Sequence, residues 1–444
     1  MRFTGKPHAE LRRTDEQGQP DDPAGGSVRS VGPTQHFLPD VTPHRRMCPS
    51  GTTRRGFLAA CATATVPTAG CSDRLGGALA SPLEVSTDWP RVQYDARATG
   101  RTVDVTGPTT EPSVRWSTDV EAVEGGTPAV VVADGTVFVA SGSVVAALDA
   151  ADGTERWTTR VSPSRSPGGG IGYLCSAAVG EEHVFVGNYD GLFALDRDGT
   201  VQWSHEVPDP TPGSSGVFRS PAVVDGAVFF TTVDEGAVYA YTTDGDQRWR
   251  RELDAGGVTA GPAVAAGTVF VGSETGLHAV STGGDGRWTA PVGNVTTTPT
   301  VGIETVYVTG YTEDTGTFVA AVDADSGEVD WHNAHQNTIM GSPAYRQGGS
   351  REELGAATWL GTFFTYDAGT GQTEWGTHVG ETKPAIPATD PDRFYVPADD
   401  AVVAVDPWDG VEWTAPLSGA AGGVAITDAA LFVASSHGRC YALG

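Results

Sequence analysis

The chain has 444 residues, 55 of them acidic and 28 basic, for a net charge of −27. That balance argues against a nucleic-acid partner, which would require clustered Lys and Arg to neutralise phosphates. No apolar stretch reaches the roughly twenty residues that a membrane-spanning helix needs.

Residues 1–46 are polar and rich in Pro and Gly, with no hydrophobic period, and cannot bury a core. They are expected to be a disordered extension, or else the chain starts at Met47. The export signal that follows Met47 favours the second reading. Residues 47–70 resemble a twin-arginine lipoprotein signal: Arg54 and Arg55 precede a modest apolar run from Phe57 to Ala69. Thr68-Ala69-Gly70-Cys71 resembles a lipobox, which implies that Cys71 carries the lipid and becomes the first mature residue. The expected location is the outer face of the cytoplasmic membrane.

Residues 71–111 have few apolar runs. Up to about Thr87 they are expected to be a tether. Trp89 and Tyr94 suggest that the remainder packs on the domain surface.

From residue 112 onward the chain repeats itself. ALDAADGTERW ends at Trp157, ALDRDGTVQW at Trp203, AYTTDGDQRW at Trp249 and AVSTGGDGRW at Trp288. AVDADSGEVDW ends at Trp331, TYDAGTGQTEW at Trp375 and AVDPWDGVEW at Trp413, while an orphan PSVRW ends at Trp116. A period near forty residues marks a repeat architecture. Each unit holds two short Val/Phe/Tyr/Thr-rich runs, a third ending in Ala-x-Asp, a Gly-bearing turn and the Trp strand. These are β-strands, and four strands per unit make one propeller blade. The Asp-Gly pairs, such as Asp152-Gly153, supply the positive φ of a tight hairpin. The prediction is therefore an all-β, eight-bladed propeller over 112–444. The last segment supplies only three strands, so PSVRW is expected to complete the C-terminal blade and remove exposed sheet edges.

The motif Ala-x-Asp-x-x-x-Gly-x-x-x-Trp resembles the pyrroloquinoline-quinone-like repeat family. Ala147, Asp149, Gly153 and Trp157 fit it, as do Ala321, Asp323, Gly327 and Trp331. That family includes quinoprotein alcohol dehydrogenases and the lipoprotein subunit of the bacterial outer-membrane β-barrel assembly machine. The first type implies a quinone (PQQ) at the ring axis, a calcium ion, an Asp base and a vicinal disulfide. Here no two cysteines are adjacent. No tryptophan is expected at the axis: eight belong to the repeat, Trp89 precedes the ring, Trp359 is placed in an inner strand and Trp408 in a turn. No cofactor is expected. The second type implies a lipid-anchored propeller that binds partners, although its complex belongs to a double-membraned envelope. The favoured reading is a binding or scaffolding module of unknown ligand, monomeric and held to the membrane through Cys71. A quinoprotein dehydrogenase is the alternative.

Six acidic and nine basic residues precede Cys71, which leaves 49 against 19 and a net charge of −30 beyond it. Lys383 is the one lysine of that part. An acidic surface nearly without lysine points to adaptation to high salt, where counter-ions screen the carboxylates over a Debye length of about 3 Å at 1 M. With the signal, it resembles an exported lipoprotein of haloarchaeal type. Cys175 and Cys440 fall in blades 2 and 8, which are not ring neighbours, so two buried free thiols are expected.

Partial calcium spacing, as in Asp323-Ala324-Asp325, is what a tight turn wants and recurs in blade after blade. His332 and His335 lack a third ligand, so no metal site is expected. The inner strands open on small residues (Ser176, Ser220, Gly261, Thr298, Ser342), as expected where they converge on the axis. Lys383 takes the matching place in blade 7, and Arg219 precedes it in blade 3. Tyr173, Phe218, His335 and Asn337 are expected around the same mouth. An anionic or carbonyl ligand group there would meet Lys383 and Arg219. The bland reading is an ion pair of Lys383 with Glu381.

Overall fold

The run Thr136–Ser141 is buried at all six positions, and Val144–Asp149 at all but its last. Strands covered on both faces read as continuous apolar runs rather than alternating ones. The next strand, Glu155–Arg160, alternates exposed and half-buried residues. This gradient recurs in every unit because the middle strands lie between neighbouring sheets while the fourth lies at the rim.

The structure, a computed structural model, describes residues 81–444 except 122–128, 142–143, 162–175, 189–190, 207–218, 233–235, 336, 340, 349–350 and 383–384. It is an eight-bladed propeller of four-stranded antiparallel sheets. Blade 1 is Val130–Ala133, Thr136–Ser141, Val144–Asp149 and Glu155–Arg160. Blade 3 is Ala222–Val224, Ala227–Thr232, Ala237–Thr242 and Gln247–Glu252. The fourth strands of blades 2 and 4–7 carry Trp203, Trp288, Trp331, Trp375 and Trp413. Blade 5 has an interrupted inner strand, Asn294–Val295 and Thr300–Val301, both pairing with Thr305–Thr312. In blade 8, Val114–Asp119 pairs antiparallel with Arg439–Leu443, setting Trp116 opposite Ala442. The orphan strand thus closes the ring as its sequence predicts. The inner strands touch in cyclic order, and blade 8 meets blade 1.

The tryptophans carry the blade-to-blade register. The indole of Trp157 donates to the carbonyl of Arg197 in blade 2 (2.7 Å), and that of Trp203 to Thr243 in blade 3 (2.8 Å). The turn glycine of the following blade lies flat on each ring. A Cβ on Gly199 would come within 2.6 Å of Trp157, and one on Gly153 within 2.6 Å of Trp116. These glycines therefore serve the neighbouring blade as well as the positive φ of their own hairpin. The register slips by one residue beside each tryptophan, as between Ala147 and Leu148; such bulges increase strand twist.

Trp359 does not lie in an inner strand. It sits in the turn between the second and third strands of blade 6 and is 48 % exposed. Cys440 is a buried free thiol, whereas Cys175 lies outside the described residues. Antiparallel connectivity puts the turns after each inner strand and after each third strand on one face, called lower here. The connections between blades emerge on the other, upper face.

Candidate functional site

An inner strand is a sheet edge, and alternate N–H groups along it point away from the sheet. In this ring a single segment takes them up. Trp89 exchanges two main-chain hydrogen bonds with Val132 of blade 1 (2.7 and 2.9 Å). Pro90 accepts from Val179 of blade 2, Ala96 from Val264 of blade 4 and Arg97 from Val301 of blade 5. Thr99 accepts from Tyr345 of blade 6 and Gly100 from Thr389 of blade 7. The six donors hold corresponding places on their inner strands, opposite Val137, Val184, Val269, Val306, Leu354 and Phe394 of the second strands. Residues 89–102 therefore circle the axis at one level and fill its lower mouth. The surface packing expected of this stretch is a plug instead, and Trp89, expected before the ring, is 1 % exposed within it.

Local conformation makes the circuit possible. Gln93, Tyr94 and Ala98 have φ of 64°, 72° and 54°; each is a strained choice for a side-chain-bearing residue, costing about 1–3 kcal/mol, and persists where surroundings over-determine it. Arg91, 3 % exposed, is held by carbonyls. Its guanidinium donates to Pro221 (2.9 Å), Pro262 (2.6 Å) and Asp95 (3.1 Å). Burial pushes the Asp95 carboxyl up from the usual carboxylate range, opposed by hydrogen bonds from the N–H and hydroxyl of Thr99. The segment leaves the ring under blade 7. There the buried Asp390 accepts from Gly107 N–H (2.9 Å) and the Tyr395 hydroxyl (2.8 Å).

At plug level and above it, hydroxyls tie blade to blade. Ser220 donates to the Ser176 carbonyl (2.7 Å), Thr300 to Pro343 (2.8 Å) and Thr382 to Thr358 (2.7 Å). Arg219 is exposed and reaches across two blades, donating to the carbonyls of Thr259 (3.2 Å) and Thr296 (3.4 Å). His335 ends the outer strand of blade 5, its ring 4.9 Å from Phe364 of blade 6 and Nδ1 2.9 Å from the Asn337 carbonyl. His335 and Asn337 are thus together, at a different radius from Arg219. Lys383, Tyr173 and Phe218, like Cys71, Arg54 and Arg55, lie outside the described residues.

Among the described residues no three His, Cys, Asp or Glu side chains converge as a metal site. A buried serine–histidine pair occurs in blade 4. Ser273 Oγ lies 2.8 Å from His278 Nε2, with Thr289 Oγ1 3.0 Å from Nδ1. Ser273 is fully buried and accepts the N–H groups of Thr275 and Gly276, so its oxygen serves the hairpin and not a substrate. Burial lowers the His278 pKa.

The family model described as outer membrane protein assembly factor BamB matches residues 105–243 and 234–443. The chain belongs to this PQQ-like propeller family. A serine/threonine-protein kinase, AfsK of Streptomyces griseus, is 33 % identical over 162 residues, covering 36 % of this chain and 19 % of the kinase. The chain therefore spans about a fifth of that relative's length. BamB from Moraxella catarrhalis superposes with a TM-score of 0.55 at 19 % identity, covering 74 % of this chain and 97 % of that one. A europium-containing methanol dehydrogenase gives 0.63 at 15 % identity, covering 78 % and 89 %. At such identities these likenesses show the BamB-type ring, and a ring hosts many functions. The segment at the lower mouth had no signal in side-chain pattern, because most of its bonds to the ring use main-chain carbonyls.

Proposed function

We propose that this BamB-type propeller is an exported, lipid-anchored binding module that holds a polypeptide partner at the outer face of the cytoplasmic membrane. The observation that supports the reading best is the plug itself. The ring already holds a winding stretch of its own chain at its axis, through one carbonyl per blade in six blades. Main-chain recognition of an extended chain by sheet edges is a recurring mode of partner binding. Membership in a family described as an assembly factor points the same way. The approach to the plug is bound to the ring from Leu83 onward, so the tether expected up to about Thr87 ends earlier. Leu83 N–H donates to Ala151, and Ser86 and Thr87 bind Asp428, both on the lower face.

The test is fractionation and cross-linking in the native host. The wild type should sediment with membranes and yield a discrete cross-linked protein, while Cys71→Ser is shed or held as precursor and Arg54→Lys with Arg55→Lys blocks export. Unchanged membrane retention of Cys71→Ser overturns the anchor. A protein without cross-linked partner that oxidises alcohols once given the quinone would favour the dehydrogenase instead.

A further inference from the structure

The plug takes the equivalent inner-strand N–H in blades 1, 2, 4, 5, 6 and 7, and skips blade 3. In blade 3 that position is Val223, opposite Val228. The chain leaves the edge after Pro90, turns into the axis and returns at Ala96, and Arg91 spans the interval with its side chain. Val223 is half-buried, and among the described residues no acceptor meets its N–H. The remaining equivalent, Ile426 of blade 8, is fully buried in the cluster that Leu83 and Trp89 join. Among the described residues, blade 3 thus presents this edge position half-exposed and without a plug carbonyl.

Two cavities lie astride it. One, of about 580 Å³, is walled by Val224, Phe229, Val264 and Ile303, with Arg97 and Asp95 at the plug. The other, of about 770 Å³, lies towards blade 2 and presents Asp88, Glu181, Glu182, Asp225 and Asp244. Its arginine, Arg197, is already engaged by Asp134 (3.1 Å) and the Gly180 carbonyl (2.7 Å). Val224 and Asp225 line both, so the two form one crescent round the end of the blade 3 inner strand. Both volumes fall within the range of about 300–1,000 Å³ typical of ligand sites.

We propose that this crescent binds a short extended segment of a partner protein, with basic residues followed by an aliphatic one. A carbonyl of that segment accepts from Val223 N–H, as the plug's own carbonyls do in six other blades. If it runs in the plug's direction, its leading side chains lie over the carboxylates by blade 2. The aliphatic side chain then enters the apolar cavity by blade 4. This site rests on the binding-module reading and names one surface and one class of ligand for it.

The probe is acetyl-Lys-Lys-Ala-Leu-amide, with acetyl-Glu-Glu-Ala-Leu-amide and spermidine as controls, titrated into the full chain at the lowest salt that preserves its melting transition. The basic peptide should bind, and the acidic one should bind at least about tenfold more weakly. Val223→Pro removes the N–H without removing a ladder bond, and should weaken the basic peptide about tenfold at unchanged melting temperature. Glu182→Lys with Asp244→Lys should do the same. In the unsubstituted protein the Val223 amide resonance should move on peptide addition, which decides the matter if the proline variant fails to fold. The site is lost if both peptides bind alike, if spermidine binds as well as the basic peptide, or if the Val223 amide stays still. Should the peptide fail while a native partner still cross-links, the crescent is wrong and the module reading stands.

Discussion

The indole N–H of Trp413 donates to the carbonyl of Pro108 at 3.1 Å, across more than three hundred residues of sequence. Other repeat tryptophans find this acceptor in the third-to-fourth-strand turn of the next blade, as Trp157 does with Arg197. Blade 8 has no such turn, because its third strand is Arg439–Leu443 and its fourth is Val114–Asp119. Pro108, held beside Gly107 and Asp390, stands in for the missing turn.

Closure therefore draws on both sequence ends of the propeller, and removing residues 424–444 should unfold it. That truncation strips blade 8 of its second and third strands and half of its inner one, Ala421–Ile426, exposing the packed faces of blades 1 and 7. The loss should exceed the usual stability of about 5–15 kcal/mol. Circular dichroism on heating checks this, and a soluble truncation with a sharp transition would refute it.

The blades were legible because tryptophan, glycine and apolar runs repeat in side-chain language. The closing strand was legible because PSVRW lacked its partners and the C-terminus lacked its fourth strand. The plug was not legible. DWPRVQYDARATG has no period, and its bonds to the ring are mostly main-chain carbonyls, with the buried Arg91 donating to further carbonyls. Arg219 could be placed at the upper mouth because it adjoins an inner-strand opening. His335 could not, since the length of its outer strand decides its radius.

Burial pushes the Cys440 thiol up to about 12. In a Cys175→Ser background, Cys440 should therefore resist a thiol reagent at about pH 8 while folded and react fully in denaturant, because the thiolate is the nucleophile. Reaction of the folded protein at the rate of a free thiol would contradict this burial.

Salt should matter more than for an ordinary protein. Beyond Cys71 the net charge is −30, and lowering ionic strength from about 1 M to about 0.1 M lengthens the screening distance from about 3 Å to about 10 Å. The melting temperature should fall along that series. A flat series would remove the high-salt reading of the composition.

Asp95 gives the plug a pH dependence whose sign can be worked out. Its pKa in the fold lies above 3.8 because burial disfavours the carboxylate. Its contribution to stability is therefore complete below the unfolded value and is lost as pH rises through the folded one. Asp95→Asn should raise the melting temperature at about pH 7, and this gain should shrink as pH approaches about 4. A gain that grows on acidification would show that the Thr99 hydrogen bonds, and not burial, dominate this carboxyl.

The weight of the plug is best measured at Trp89. It is 1 % exposed, carries two main-chain bonds to Val132 and packs its ring 5.0 Å from that of Tyr94. Trp408 is 50 % exposed in a turn, under Arg351. Trp89→Ala should cost about 3–5 kcal/mol, the range for a buried aromatic deletion, whereas Trp408→Ala should stay within about 0.5 kcal/mol. Denaturant titration of both variants gives the comparison. The main-chain bonds survive either substitution, so the loss at Trp89 isolates side-chain packing. If Trp89→Ala proves as mild as Trp408→Ala, the segment rests on its carbonyls alone and the indole is a passenger. If it costs more than the range above, the ring depends on the plug for closure as well as for filling its axis.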